Sequence, residues 1–64
     1  MNNADAIRNE WIAASDIHAA LCHVSHIAFV NGDYDLQKAL AGPARQWYDI
    51  AGTLYRAYAD ERYA

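Results

Sequence analysis

A strong turn signal, Asn31-Gly32-Asp33, lies at the middle of the 64-residue chain. Glycine readily adopts the left-handed conformation that ends a helix, and the aspartate side chain can cap the helix that follows. Asn-Gly also occurs in β-hairpins, but the residues after this turn do not alternate between apolar and polar as a strand would. The sequence therefore predicts helical segments on either side of a tight turn, and an all-α fold.

The first half of the chain is predicted to form one long helix over about residues 4–30. Apolar residues recur along it at spacings close to a heptad repeat, and they should be buried against a partner helix. This predicted stripe consists of Ile7, Ala14, Ile17, Leu21, Val24 and Ala28. Ile12, Ile27 and Val30 lie on other sides of the helix. A helix that is apolar on several sides is usually buried on several sides.

In the second half, Gly42-Pro43 predicts another boundary, because proline is favoured in the first turn of a helix and disrupts a helix interior. We expect a short helix over about residues 34–41 and a third helix over about 43–62. The apolar stripe of the third helix consists of Trp47, Ile50, Ala51, Leu54 and Tyr58. The second half is long enough to run back along the first, so the predicted fold is an antiparallel helical hairpin, one domain over residues 1–64.

The chain is short for a protein that must bury its own core. A domain of this size buries only about 60% of the surface that its unfolded chain exposes. Cys22 is the one cysteine, so no disulfide can form within the chain. The additional apolar sides of the first helix favour self-association, and we expect a homodimeric helical bundle. In length and helix plan the chain resembles the Rop family of plasmid copy-number regulators; no functional motif matches, and no residue is carried over.

The sequence contains no pattern typical of a catalytic site or a phosphate-binding loop, so we expect a protein that is not an enzyme and uses no cofactor. His18, Cys22 and His26 are four residues apart and share one ridge of the first helix. Imidazole and thiolate groups bind zinc, but a structural zinc site takes four ligands. Structural or interface roles are therefore favoured for these three residues. A metal- or pH-responsive regulator that uses them, with His23, stays an alternative.

Charge disfavours nucleic acid as a partner. The net charge is −3 with five Lys and Arg residues, whereas binding to phosphates needs a clustered basic face. Arg45, Arg56 and Arg62 are the candidate contacts for the alternative, a Rop-like nucleic-acid-binding bundle. The start of the sequence lacks the features of a signal peptide, and no apolar run approaches the roughly 20 residues of a membrane span. We therefore expect a cytoplasmic protein with no membrane partner.

Aromatic residues form 12% of the chain, and tyrosine and tryptophan are enriched where proteins bind one another. The candidate partner-binding residues lie off the main stripes and are Tyr34, Tyr48, Tyr55, Tyr63, Ile12, Ile27 and Val30. Together they point to a protein–protein interaction module that regulates or inhibits a protein partner. Phage and plasmid inhibitors of host systems, anti-CRISPR proteins among them, have this general character, and the analogy is one of class.

Overall fold

The computed structural model describes residues 3–63, which form two long helices packed side by side. Helix α1 spans Asn3–Val30 and helix α2 spans Tyr34–Tyr63. They run antiparallel as a hairpin that measures 47 × 16 × 12 Å. The predicted all-α hairpin is confirmed, and the residues that the structure describes contain no strand.

The turn between the helices is formed as its sequence predicts. Gly32 has a φ of +76°, in the left-handed region. The backbone N–H of Asp33 donates to the carbonyl of Ala28 at 2.8 Å, and the N–H of Gly32 donates to that of Phe29 at 3.0 Å. These two bonds satisfy carbonyls that the end of α1 would otherwise leave free. Asp33 Oδ1 then accepts the N–H of Leu36 at 3.2 Å and caps α2.

The predicted boundary at Gly42-Pro43 is wrong, because α2 continues through both residues. The expected helices over 34–41 and 43–62 are therefore one helix. Proline in a helix interior removes one backbone hydrogen bond and costs about 3 kcal/mol. Leu40 and Ala44, on either side of the proline, both lie half-buried in the contact between the two helices, while Pro43 itself is exposed. Packing of both halves of α2 against α1 thus offsets the local cost of the proline.

The residues of each helix that contact the other helix recur in a heptad pattern. We call these contact residues the buried seam. On α1 they are Ile7, Trp11, Ala14, His18, Leu21, Ser25 and Ala28. On α2 they are Gln37, Leu40, Ala44, Trp47, Ala51, Leu54 and Tyr58. Alternating spacings of three and four residues keep such a seam facing the partner helix when two α-helices wind around each other in a left-handed supercoil. Among residues 3–63 only Ala14 and Ala28 are buried, each with 3% of its surface exposed, so the core of one hairpin is thin.

The stripe predicted for α1 is wrong at two positions. Ile17 and Val24 are 39% and 44% exposed. Trp11, His18 and Ser25 take the places in the buried seam that those two residues were expected to fill. Apolar side chains cover more than one side of α1, and α2 packs on the side that carries Trp11. The remaining apolar side of α1 faces outward.

Candidate protein-binding groove

One flank of the hairpin carries a groove of about 500 Å³ between the two helices. Its principal lining residues are Trp11, Ser15 and His18 from α1 with Tyr48, Gly52 and Tyr55 from α2. The α2 residues are four and three positions apart, so they lie on one face of that helix. The groove is therefore built from one face of each helix.

Gly52 leaves space in the groove because it has no side chain. It lies between Tyr48 and Tyr55 on the same face of α2. A Cβ atom placed on Gly52 would meet Arg56 Nη1 at 3.7 Å, an ordinary van der Waals contact. Glycine destabilises a helix interior by roughly 0.5–1 kcal/mol relative to alanine. At this position its effect is to keep open the space between two tyrosine rings.

Aromatic packing between the helices holds one wall of the groove. The Trp11 ring lies edge-on to Tyr55, with ring centroids 5.0 Å apart and planes at 62°. It also stacks on Tyr58, with centroids 5.8 Å apart and planes at 17°. Such pairs contribute about 0.5–1.5 kcal/mol beyond the area that they bury. Tyr55 nevertheless remains 49% exposed, so its ring is held in place while much of its surface stays accessible.

His18 joins the two helices at the other end of the groove. Its Nδ1 lies 2.9 Å from the backbone oxygen of Ala44. A carbonyl oxygen can only accept, so Nδ1 carries the proton in this contact. The Sγ of Cys22 lies 3.5 Å from the Nε2 of the same ring, within hydrogen-bond distance. The His18 ring also packs against Tyr48, with centroids 5.4 Å apart, and so fixes the second wall.

The contact between Cys22 and His18 matches the first requirement of a Cys–His nucleophile, a thiol within reach of an imidazole. A nucleophile also needs donors that stabilise an oxyanion. Cys22 lies in the interior of α1, where backbone N–H groups bond to the carbonyls of the preceding turn. The backbone around Cys22 therefore offers the pair no oxyanion hole, and the contact is a weak hydrogen bond on an exposed face of α1.

The three candidate zinc ligands do not converge. Cys22 and His18 are in contact, whereas His26 lines a second depression of about 310 Å³ with Cys22 and Phe29. Within residues 3–63 the structure brings no three His, Cys, Asp or Glu side chains into a group that could hold a metal ion. His18 instead makes the interhelical hydrogen bond, a role that the spacing of the three residues did not reveal.

The predicted partner-binding residues lie in three places. Tyr48 and Tyr55 form the walls of the groove. Tyr34 lies beside the turn, where its ring packs on Phe29 with centroids 6.1 Å apart. Tyr63 lies at the open end of the hairpin beneath the Arg62 guanidinium. The remaining three, all on α1 and all exposed, are Ile12, Ile27 and Val30.

All three candidate nucleic-acid contacts have partners within the hairpin, Arg62 through the Tyr63 ring. Arg45 forms an ion pair with Asp49, with Nε 3.3 Å from Oδ1. Arg56 donates from Nη2 to the Thr53 hydroxyl at 3.2 Å, in place of the contact with Asp60 that an i,i+4 spacing suggests. Arg56 and Asp49 also border the groove and give its rim both signs of charge.

No protein-family model, curated protein or solved structure matches the chain. In residues 3–63, neither helix combines the length and the apolar character needed to cross a membrane.

Proposed function

We propose that this chain is a non-enzymatic protein-binding module that regulates or inhibits a partner protein by covering part of its surface. The observation that supports the proposal is the groove, an accessible space of about 500 Å³ with tyrosine walls in a chain of only 64 residues. Inhibitors made by phages and plasmids, anti-CRISPR proteins included, are one class that works by covering a surface.

The chemistry of the groove selects a partner segment with an apolar anchor. Tyr48 and Tyr55 offer large rings that lose little conformational entropy on binding. Between them, Gly52 leaves room for an inserted aliphatic or aromatic side chain. Asp49 and Arg56 at the rim can pair with polar groups on either side of that anchor. A helix or loop that presents one apolar side chain among polar neighbours fits this arrangement.

A photo-crosslinking experiment tests the proposal. A benzophenone amino acid replaces Tyr48 in one variant and Ala19, which is exposed on α1, in a second variant. In an extract of the native host, we expect a discrete protein adduct from position 48 and none from position 19. Lack of an adduct at position 48, or equal adducts at both positions, would contradict the proposal.

Competition by unlabelled protein shows whether the groove itself makes the contact. An excess of wild-type chain should abolish the adduct at position 48, while Gly52→Leu should not, because the leucine fills the space between the tyrosines. Gly42→Leu is the matched control, since position 42 lies outside the groove and a Cβ atom there meets nothing within 4 Å beyond its chain neighbours and the helix backbone. Competition by Gly52→Leu as strong as that by Gly42→Leu would show that the partner does not enter the groove.

A further inference from the structure

Helix α1 carries a second apolar seam that α2 does not cover. Its residues, which we call the second seam, are Ala13, Ile17, Ala20, Val24 and Ile27. All five are exposed, and their spacings of four, three, four and three residues repeat the heptad pattern of the buried seam. Val30 and Ile12 lie outside this repeat. An apolar heptad seam is the pattern by which one helix packs along another.

The second seam lies on the opposite flank of the hairpin from the groove. Ser15 borders the groove on one side of the buried seam. Ile17 and Val24 lie on the other side of the buried seam, about 150° further round the helix. A partner on the second seam therefore leaves the groove open, and the inference that follows is independent of the proposed function.

The exposed area indicates how much surface is left uncovered. The accessible surface of the chain is 4748 Å². A compact folded monomer of 7.2 kDa exposes about 4,100 Å², so this hairpin exposes roughly 600 Å² more. A standard protein–protein interface buries about 800 Å² on each partner. The excess is thus about three quarters of what one face of a standard interface removes from water.

We infer that the second seam binds the second seam of another copy of this chain, with the two α1 helices antiparallel. In one register, Ala13 lies opposite Val24 of the second copy and Ile17 lies opposite its Ala20. The twofold symmetry of the dimer produces each of these two pairings a second time, with the two copies exchanged. Each layer then pairs an alanine with a β-branched residue, which keeps the distance between the helices constant. A parallel pair would instead set alanine against alanine and isoleucine against isoleucine in successive layers.

Hydrogen-bonding complementarity between carboxylate and imidazole side chains supports the same register. Asp16 and His23 are exposed and border the second seam on its outer side. In an antiparallel pair of helices, residues that border the seam on the same side face each other across it. The register that pairs Ile17 with Ala20 brings Asp16 of each copy opposite His23 of the other, so the dimer gains two equivalent contacts. At each end this register sets Glu10, which is exposed in the single hairpin, across from Ile27.

Sedimentation equilibrium of the purified chain tests the inference, with two substitutions that differ by one position. Ala20→Glu places a carboxylate in the middle of the second seam, and Ala19→Glu places it on another exposed side of α1. We expect wild type and Ala19→Glu to be dimers. Ala20→Glu should raise the dissociation constant by about a hundredfold or more, with unchanged helical circular dichroism. A monomeric wild type, or an undiminished Ala20→Glu dimer, would overturn the inference.

Two further measurements test the orientation. Asp16→Lys and His23→Glu should each weaken the dimer, and the double variant should restore it. Restoration would report a contact between copies, because within one helix the two side chains lie about 10 Å apart along the axis, too far to pair. Spin labels attached at position 30 of a Cys22→Ser, Val30→Cys variant should lie about 35 Å apart in the antiparallel dimer and about 10 Å apart in a parallel one. Lack of restoration in the double variant, or the short distance, would refute the antiparallel register.

Discussion

Replacing Gly52 by alanine should make the protein more stable while it impairs the groove. Both Gly42 and Gly52 lie inside α2, and neither has a positive φ. Alanine in a helix interior is about 1 kcal/mol more favourable than glycine. The new methyl group at position 52 would lie 3.7 Å from the flexible Arg56 side chain and would meet no other side chain within 4 Å beyond its chain neighbours, so no steric cost offsets the gain. We therefore expect a gain of about 1 kcal/mol in the free energy of unfolding.

Thermal melts followed by circular dichroism at one fixed protein concentration measure this gain. An increase of about 1 kcal/mol raises the Tm of a domain of this size by roughly 4–8 °C. Gly42→Ala is the control for the groove, with a smaller expected increase because a Cβ atom directly before Pro43 disfavours the helical conformation. Only Gly52→Ala should also weaken competition in the crosslinking assay. A Gly52→Ala variant that is less stable than wild type would refute the description of this site as open space within a regular helix.

Further predictions concern the turn, the interhelical histidine and metal ions. Gly32→Ala should lower the free energy of unfolding by about 1–2 kcal/mol in chemical denaturation, because Gly32 has a φ of +76°; an unchanged midpoint would contradict the account of the turn. His18→Ala should cost about 1–3 kcal/mol, since it leaves the Ala44 carbonyl without the His18 donor, whereas Cys22→Ala should cost less than about 1 kcal/mol. Equal losses in the two variants would show that the hydrogen bond contributes little. Zinc or a chelator should move the Tm by less than about 1 °C, and a larger shift would support the metal-responsive alternative.

Local signals made the turn and the two helical halves predictable. The left-handed glycine and the capping aspartate act within a few residues, so the sequence around positions 31–33 contains the information that ends α1 and begins α2. The Gly42-Pro43 signal is equally local, but it failed because residues on both sides of it pack against α1. A local preference of about 3 kcal/mol was outweighed by packing that the local sequence does not contain.

The groove could be predicted only in part. Tyr48 and Tyr55 were identified because tyrosines off an apolar stripe favour an interface. Trp11, His18 and Gly52 were missed as groove residues, since their roles depend on α2 lying against one particular side of α1. Two apolar seams run along α1, and hydrophobic periodicity alone does not show which one faces the neighbouring helix. Gly52 offered a signal, a glycine in a helical stretch between two tyrosines on the same face.

The central claim is that one copy of this hairpin leaves apolar surface on α1 that a second copy covers. The dependence of the Tm on protein concentration tests this claim most directly, because a dimer that unfolds to monomers becomes more stable as its concentration rises. Over a hundredfold range of concentration, we expect the wild-type Tm to rise by roughly 10 °C and the Ala20→Glu Tm to stay constant. A wild-type Tm that stays constant over this range would contradict the claim.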